Sequence, residues 1–379
     1  MRQVGIYIHF PFCLKKCHYC DFPSYQGMER WMEPYLEALC REILEWKGVV
    51  GGCVVKSIYL GGGTPTLFSG QQISRVLEAC FKNFNVQKDA EVTIEANPGT
   101  VDLDKLLTLR AAGVNRLSIG LQAWQDKHLR FLGRIHSSDD FVQSMMYAKE
   151  ARFENINVDV MFGLPYQTLE DWLETLEKVC ALGIQHISMY SLKVEPGTSL
   201  YRWYEEGRFS LPTQEEDRLM YYRGREYVSR FGFEQYEISN FAIPGKECVH
   251  NLIYWYNEEY IGCGSGAHSY FNNERFSNTS DVEEYIWAVM NGTQKINYRE
   301  KIGEDDERFE TIMLGLRLVK GINKQRFKAR FGKDIEFYYD ETIKKLVNQG
   351  LLIDEGGSIR LTQKGLDVQN VVLLEFMHL

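Results

Sequence analysis

The sequence predicts an α/β protein: a partial (βα)6, TIM-like barrel followed by a C-terminal winged-helix-like α+β cap. Three observations carry that expectation. Six short runs rich in β-branched and aromatic residues recur through the first half of the chain. Apolar residues at helical spacing lie between them. Beyond about residue 304 the rhythm changes to three helical patterns and then a pair of short strands.

The six runs are VGIYIHF (4–10), KSIYLGG (56–62), EVTIEAN (91–97), RLSIGLQ (116–122), INVDVMFG (156–163) and HISMYSL (186–192). Between the first two, Met32, Tyr35, Leu36, Leu39 and Ile43 mark one helical face. Ser69 and Gln72 form a capping box ahead of Ile73, Val76, Leu77 and Cys80. Asp102 and Thr168 are N-caps for the patterns 102–112 and 168–182, and Gly113 and Gly183 stand just past their ends. Strands joined through helices run parallel, because each helix is the crossover.

After residue 200 the sequence predicts a helix (213–230), a strand-like FEQYEIS (233–239), and a loop-rich stretch, dense in aromatics and glycine, covering the barrel mouth. LVNQGLLIDEGGSIRLTQKG (346–365) ends a helix and turns two strands about Glu355-Gly356-Gly357. The domain reading is 1–235 for the barrel, 236–300 for the aromatic extension and 301–379 for the winged-helix-like domain.

Ligands of parallel βα sheets gather at the C-terminal strand ends. The unusual residues fall there. FCLKKCHYCDF follows the first strand and GGGTPT the second, while Glu95, Gln122 and Asp159 lie at or within the third, fourth and fifth. Cys13, Cys17 and Cys20 are spaced to hold three corners of a [4Fe–4S] cube and leave the fourth iron open. Structural zinc is the alternative; it needs a fourth ligand, and His18 and His9 are the candidates. The other six cysteines read as buried thiols, three of them (Cys40, Cys80, Cys180) on apolar helical faces. GGGTPT suits a turn whose backbone must approach a ligand closely.

Nine cysteines, three in one loop, favour a metal site in a reducing compartment over a disulfide framework. A net charge of −9, from 52 acidic and 43 basic residues, excludes a general nucleic-acid binder. Residues 301–379 show no sustained basic stripe, which turns that segment away from a regulatory DNA-binding role. No secretory leader and no apolar run near the ~20 residues that span a bilayer are visible, so the expected location is the cytoplasm and the chain is not expected to be an integral membrane protein.

YIHFPFCLKKCHYCDF followed by LGGGTPT resembles the radical S-adenosylmethionine (SAM) enzymes, in the group related to oxygen-independent coproporphyrinogen III oxidase, through essentially the whole chain. The resemblance implies a radical SAM barrel in which SAM chelates the open iron and is cleaved reductively to a 5'-deoxyadenosyl radical. It carries cofactor contacts onto Tyr7, Tyr19, Gly62, Gly63, Thr64, Glu95, Gln122, Arg134 and Asp159. Glu95, Gln122 and Asp159 would accept from ribose or ammonium groups, and Arg134 would offer a carboxylate-matching fork.

Two departures separate the chain from the oxidase pattern: Phe22 stands where the oxidases carry a further cysteine, and twelve residues precede Cys13 where they have a long segment. ISNFAIPGKECVHNLIYW (238–255) is similar to the HNxxYW motif of HemW-type haem chaperones. That likeness makes His250 the expected haem contact, with Tyr254 and Trp255 as apolar cover. His9, His128, His136, His186, His268 and His378 read as structural or solvated. The resemblance implies a haem-binding protein with a [4Fe–4S] cluster and SAM, connected with porphyrin biosynthesis, passing haem to membrane-associated apoproteins as monomer or dimer. No catalytic side chain is assigned. The competing expectation is a coproporphyrinogen III oxidase working by radical decarboxylation.

Overall fold

The computed structural model describes residues 2–377; the expectation for His378 lies outside the described residues. The six runs form β1 (Arg2–Phe10), β2 (Cys53–Gly62), β3 (Val86–Ala96), β4 (Arg116–Gln122), β5 (Ile156–Phe162) and β6 (His186–Ser191). They are neighbours in that order and all parallel. The helices that cross between them are α1 (Met32–Val50), α2 (Gly70–Asn83), α3 (Leu103–Ala111), α4 (Asp126–Leu132), α5 (Ser138–Glu150) and α6 (Leu169–Cys180). Their caps follow from the sequence: the Ser69–Gln72 box is present in full, and Asp102 and Thr168 accept from Lys105 and Asp171 N–H. Gly113 and Gly183 take left-handed backbone, φ 106° and 63°.

Period two sorts each strand. Ile6, Ile8 and Phe10 of β1, with Ile58 and Leu60 of β2, are fully buried under the helices with Leu36, Leu39, Ile73 and Leu77. The opposite face is polar and lines the barrel interior: Tyr7, Ser57, Tyr59, Glu91, Glu95, Arg116, Ser118, Asn157, Asp159 and His186. The apolar outer shell holds the fold, which leaves the interior free for chemistry. Burying each large apolar side chain of that outer shell contributes about 1.5–3 kcal/mol.

The chain continues through α7 (Ser199–Glu205) and α8 (Gln214–Ser229). FEQYEIS is not one strand. Only β7 (Glu234–Gln235) and β8 (Asn240–Ala242) form, antiparallel at the β6 edge. Between them fully buried Glu237 turns the backbone, accepting from Ser239 N–H at 2.9 Å and pairing with Arg317 at 3.2 Å.

The aromatic stretch reaches its expected place at the mouth only in part, where Gly266 faces Pro23 and Tyr25 OH donates to Ser280 O (3.0 Å); the helix that carries HNLIYW lies elsewhere. The stretch forms α9 (Val249–Trp255), β9 (Tyr260–Cys263), β10 (His268–Phe271), β11 (Glu274–Asn278), α10 (Val282–Asn291) and β12 (Ile296–Lys301). β9 pairs parallel with β1, and β10, β11 and β12 extend the same twelve-stranded sheet. α9 packs beneath the barrel, against the starts of β1 and β2. The reason is a buried carboxylate: Glu91 accepts from Val249 N–H (3.0 Å) and His250 N–H (3.1 Å), fixing the helix start to the floor.

The C-terminal domain has its own core around Ile312, Phe327, Ile335, Leu346 and Ile359. It comprises α11 (Glu304–Gly315), β13 (Ile322–Asn323), α12 (Lys324–Phe331), α13 (Ile335–Asn348), β14 (Leu352–Glu355), β15 (Ser358–Leu361), α14 (Gln363–Asp367) and α15 (Gln369–Leu374). The three strands pair in the order β13-β15-β14, the winged-helix-like sheet. Arg330 donates to Asn257 O (2.7 Å), Arg275 forks onto Glu310, and Arg225 reaches Gln363 (2.6 Å), so this domain docks on α8, α9 and the β10–β11 edge. Among the described residues no helix is long and apolar enough to cross a membrane.

Candidate cofactor site

The cysteine loop leaves β1 at the barrel mouth and is fastened on both flanks. Cys13 N–H donates to Tyr25 O (2.9 Å) and Tyr25 N–H to Pro11 O (2.7 Å). His18 N–H donates to Leu132 O at the end of α4, and Leu200 N–H at the start of α7 donates to His18 O (2.8 Å). Cys13, Cys17 and Cys20 are free and part-exposed, whereas Cys53, Cys80, Cys180, Cys248 and Cys263 are buried and Cys40 is half-buried. Burial pushes the Cys13 and Cys20 thiols up from their ordinary value. Two sulfurs receive donors from elsewhere: the Thr64 hydroxyl reaches Cys13 Sγ at 3.9 Å, and Arg134 Nη1 reaches Cys17 Sγ at 3.7 Å.

GGGTPT leaves β2 directly beneath that loop. A Cβ on Gly63 would lie 2.6 Å from Phe12 O and 3.0 Å from Cys13 Sγ; one on Gly62, at φ +114°, would strike the His9 ring at 2.4 Å. The glycines therefore let the turn close on the cysteine loop itself. Gly62 N–H donates to Glu95 Oε2 (3.0 Å), and Tyr59 OH donates to Glu95 Oε1 (2.8 Å). Burial raises the Glu95 carboxyl to about 7.

Arg134 follows Gly133, whose left-handed backbone stops α4, and its guanidinium swings into the rim. Nη2 donates to Asn97 Oδ1 (2.6 Å) and Gly120 O (2.5 Å), while Nε is buried without a partner. Asn97 in turn donates to Thr64 Oγ1 (2.8 Å). Gln122 stands beside them with φ +73°, past a β-bulge between Gly120 and Gln122. Tyr19 packs over α4, and burial raises its phenol; the charge of Arg134 opposes that shift.

Asp159 sits one layer below, accepting from Asn157 Nδ2 (2.8 Å) and Ser118 Oγ (3.3 Å), its pKa raised by burial. Tyr7 is also inside the barrel, its hydroxyl bonded to His9 Nδ1 (2.9 Å). His250 is not at the mouth. It is 1% exposed on the floor, Nδ1 bonded to Ser57 Oγ (2.8 Å) and Nε2 to Tyr254 OH (2.8 Å). Burial, and then the Arg116 charge, lower its pKa to about 3, so the ring is neutral.

The other histidines are engaged structurally. His9 Nε2 meets Pro23 O (2.8 Å), His18 Nδ1 meets Phe131 O (2.9 Å), His128 meets Asp171, His136 meets Leu121 O, and His186 bridges Asn157 and Tyr236. His268 is exposed on β10. Of the candidate fourth zinc ligands, His9 has both ring nitrogens bonded, to Tyr7 and Pro23, and His18 has Nδ1 bonded to Phe131 O; no three His, Cys, Asp or Glu among the described residues converge on a single-ion site.

Comparison with known proteins bears on this arrangement. Residues 7–179 match the radical SAM superfamily model, and residues 302–368 match the HemN C-terminal domain model. The chain is 37% identical to the protein named heme chaperone HemW of Bacillus subtilis over 98% of both chains. It is 34% identical to the HemW of Lactococcus lactis over 98% of this chain and 96% of that one. The chain belongs to the radical SAM superfamily, in its HemW branch.

A mitochondrial radical SAM domain-containing protein 1 from Bos taurus is 34% identical over 99% of this chain and 88% of its own. The solved Escherichia coli coproporphyrinogen III oxidase HemN shares the fold at TM-score 0.85, covering 99% of this chain and 90% of that one at 24% identity. Within this radical SAM barrel, Asn97, Gly120 and Tyr59 contact the sequence-predicted rim residues directly and were not singled out from the sequence. Asn97 had a signal, a polar residue closing the EVTIEAN strand at the rim. Gly120 had none: a Cβ there would meet Gln122 Nε2 at 2.9 Å and Arg134 Nη2 at 3.2 Å, a constraint made by folding alone.

Proposed function

We propose that the chain is a haem chaperone that holds a [4Fe–4S] cluster on Cys13, Cys17 and Cys20, binds SAM against the adjoining rim, and passes haem to apoproteins from the cytoplasm. The observation that carries this reading is the near-complete alignment with HemW of Bacillus subtilis at 37% identity. The donor set fits the cofactors. Three part-exposed thiols share one loop, two of their sulfurs take hydrogen bonds, and Arg134 keeps a buried N–H free. When bound, the cluster and SAM supply one-electron chemistry that no side chain here possesses.

The chain's own residues bind and orient. Gly62 and Gly63 bring backbone close to the cysteine loop, Glu95 offers an enclosed carboxylate, Gln122 a carboxamide, Arg134 a guanidinium fork and Tyr19 an aromatic wall. Tyr7 and Asp159 brace the layer beneath. For haem, His250 is the proposed contact, and an iron bond there would cost its link to Ser57 or Tyr254 and require α9 to shift from the floor. Haem titration with His250→Ala tests this contact: loss of the Soret band supports it, and an unchanged band removes it. Anaerobic reconstitution with iron and sulfide, then haem titration and transfer to an apocytochrome, tests the whole reading; a protein that takes up no haem refutes it.

A further inference from the structure

His250 lies at the foot of two relays that climb side by side along the paired strands β1 and β2 from the floor to the mouth. Its ring stacks on Tyr59, centroids 5.0 Å apart at 27°, and faces Tyr7 at 6.3 Å and 32°. From Tyr59 the hydroxyl donates to Glu95 Oε1 (2.8 Å), whose other oxygen accepts Gly62 N–H (3.0 Å) at the head of GGGTPT. From Tyr7 the hydroxyl meets His9 Nδ1 (2.9 Å), and His9 Nε2 meets Pro23 O (2.8 Å) in the cysteine loop. Tyr7 and Tyr59 stack on each other at 6.2 Å.

The imidazole is itself held rigidly. Ser57 and Tyr254 fix its nitrogens, Glu91 fixes its backbone, and Gly5 leaves it room: a Cβ there would lie 3.4 Å from the ring and 2.9 Å from Ile253. The ring therefore cannot turn or shift without breaking two hydrogen bonds and its stack on Tyr59, so its position is passed directly to that tyrosine.

We propose that His250 is a positioning residue of the SAM site, setting Glu95 through the Tyr59 ring and the cysteine-loop edge through Tyr7 and His9. This rests on the reading of the rim as a SAM site. The HNxxYW helix then serves the cofactor end of the barrel whether or not haem is present. It explains why the motif lies on the barrel floor in a sequence that also carries the cluster loop.

The test uses the full chain, reconstituted anaerobically and free of haem. Radiolabelled SAM is titrated by equilibrium dialysis into wild type, His250→Ala, Tyr59→Phe and the double variant, with iron content measured on each. Tyr59→Phe removes one hydroxyl and keeps the ring, so it guards against a failure of His250→Ala to fold. Each single variant is expected to weaken SAM binding by roughly tenfold, the effect of losing one hydrogen bond to a charged group. Iron content stays at the wild-type level, and the double variant is no worse than the weaker single one, because both act in one relay.

Unchanged SAM affinity in Tyr59→Phe, or losses that multiply in the double variant, overturn the positioning role and leave the rim reading standing. Wild-type protein that binds iron but no SAM overturns both. Haem titration of Tyr59→Phe supplies the separating readout: haem uptake at the wild-type level with weakened SAM binding supports positioning, and a variant that loses haem alone overturns it.

Discussion

Replacing Gly63 by alanine tests whether the glycine turn is built for the cysteine loop. The backbone at this position is not left-handed, so the effect must come from space alone. The new Cβ would lie 2.6 Å from Phe12 O, 2.9 Å from Phe10 O and 3.0 Å from Cys13 Sγ. Neither carbonyl can yield easily, because Gly63 N–H already bonds Phe10 O and Thr64 N–H bonds Phe12 O, both at 2.8 Å. Overpacking of this kind costs about 1–3 kcal/mol, and here it falls on the segment that carries a cluster ligand. We expect iron and sulfide uptake in anaerobic reconstitution to fall well below half of wild type, with a thermal midpoint a few degrees lower. Gly48→Ala in α1 is the control: nothing lies within 4 Å of its added methyl, and it should gain up to about 1 kcal/mol with normal iron uptake. Wild-type iron content and midpoint in Gly63→Ala would refute the reasoning.

Glu91→Gln should destabilise the chain by about 3–5 kcal/mol in urea unfolding, because it leaves Arg116, 1% exposed and 3.9 Å away, without its counter-charge; a loss under ~1 kcal/mol contradicts this. Glu95 is raised in the folded state to about 7 from 4.5, so its stabilising contribution is complete below pH 4.5 and lost as pH rises through about 7. Glu95→Gln should remove up to about 3 kcal/mol of that decline, read as the difference between the two stability–pH curves. Cys13→Ala, Cys17→Ala and Cys20→Ala should each abolish stable iron uptake, while Cys40→Ala on α1 should not; iron content by colorimetry decides. Anaerobic incubation with coproporphyrinogen III should yield no protoporphyrinogen, and its appearance would restore the oxidase reading.

The barrel was legible because its signals are local. Period-two apolar faces, the Ser69–Gln72 box and the glycines after α3 and α6 each act within a few residues, and six strands emerged in their places. The cysteine loop and GGGTPT were legible for the same reason. What the sequence did not show is fixed by contacts between distant segments. FEQYEIS has strand composition, but burial of Glu237 against Arg317, eighty residues later, breaks it into two short pieces. The aromatic stretch looked like a lid because its aromatics carry no direction; Glu91, more than 150 residues earlier, draws α9 to the floor instead. Glu42 of α1 is a similar case. Fully buried, it takes Gly264 N–H (2.7 Å), Asn278 Nδ2 (2.8 Å) and Tyr285 OH (2.6 Å), and so anchors the β9–β10 turn beside the cysteine loop.

The most direct test of a three-thiol cluster with an open iron is electron paramagnetic resonance on anaerobically reconstituted, reduced protein before and after SAM is added. The account predicts roughly four iron and four sulfide per chain and a signal whose g-values shift when SAM binds. Stoichiometric zinc on the same three cysteines, or an iron signal indifferent to SAM, would contradict it.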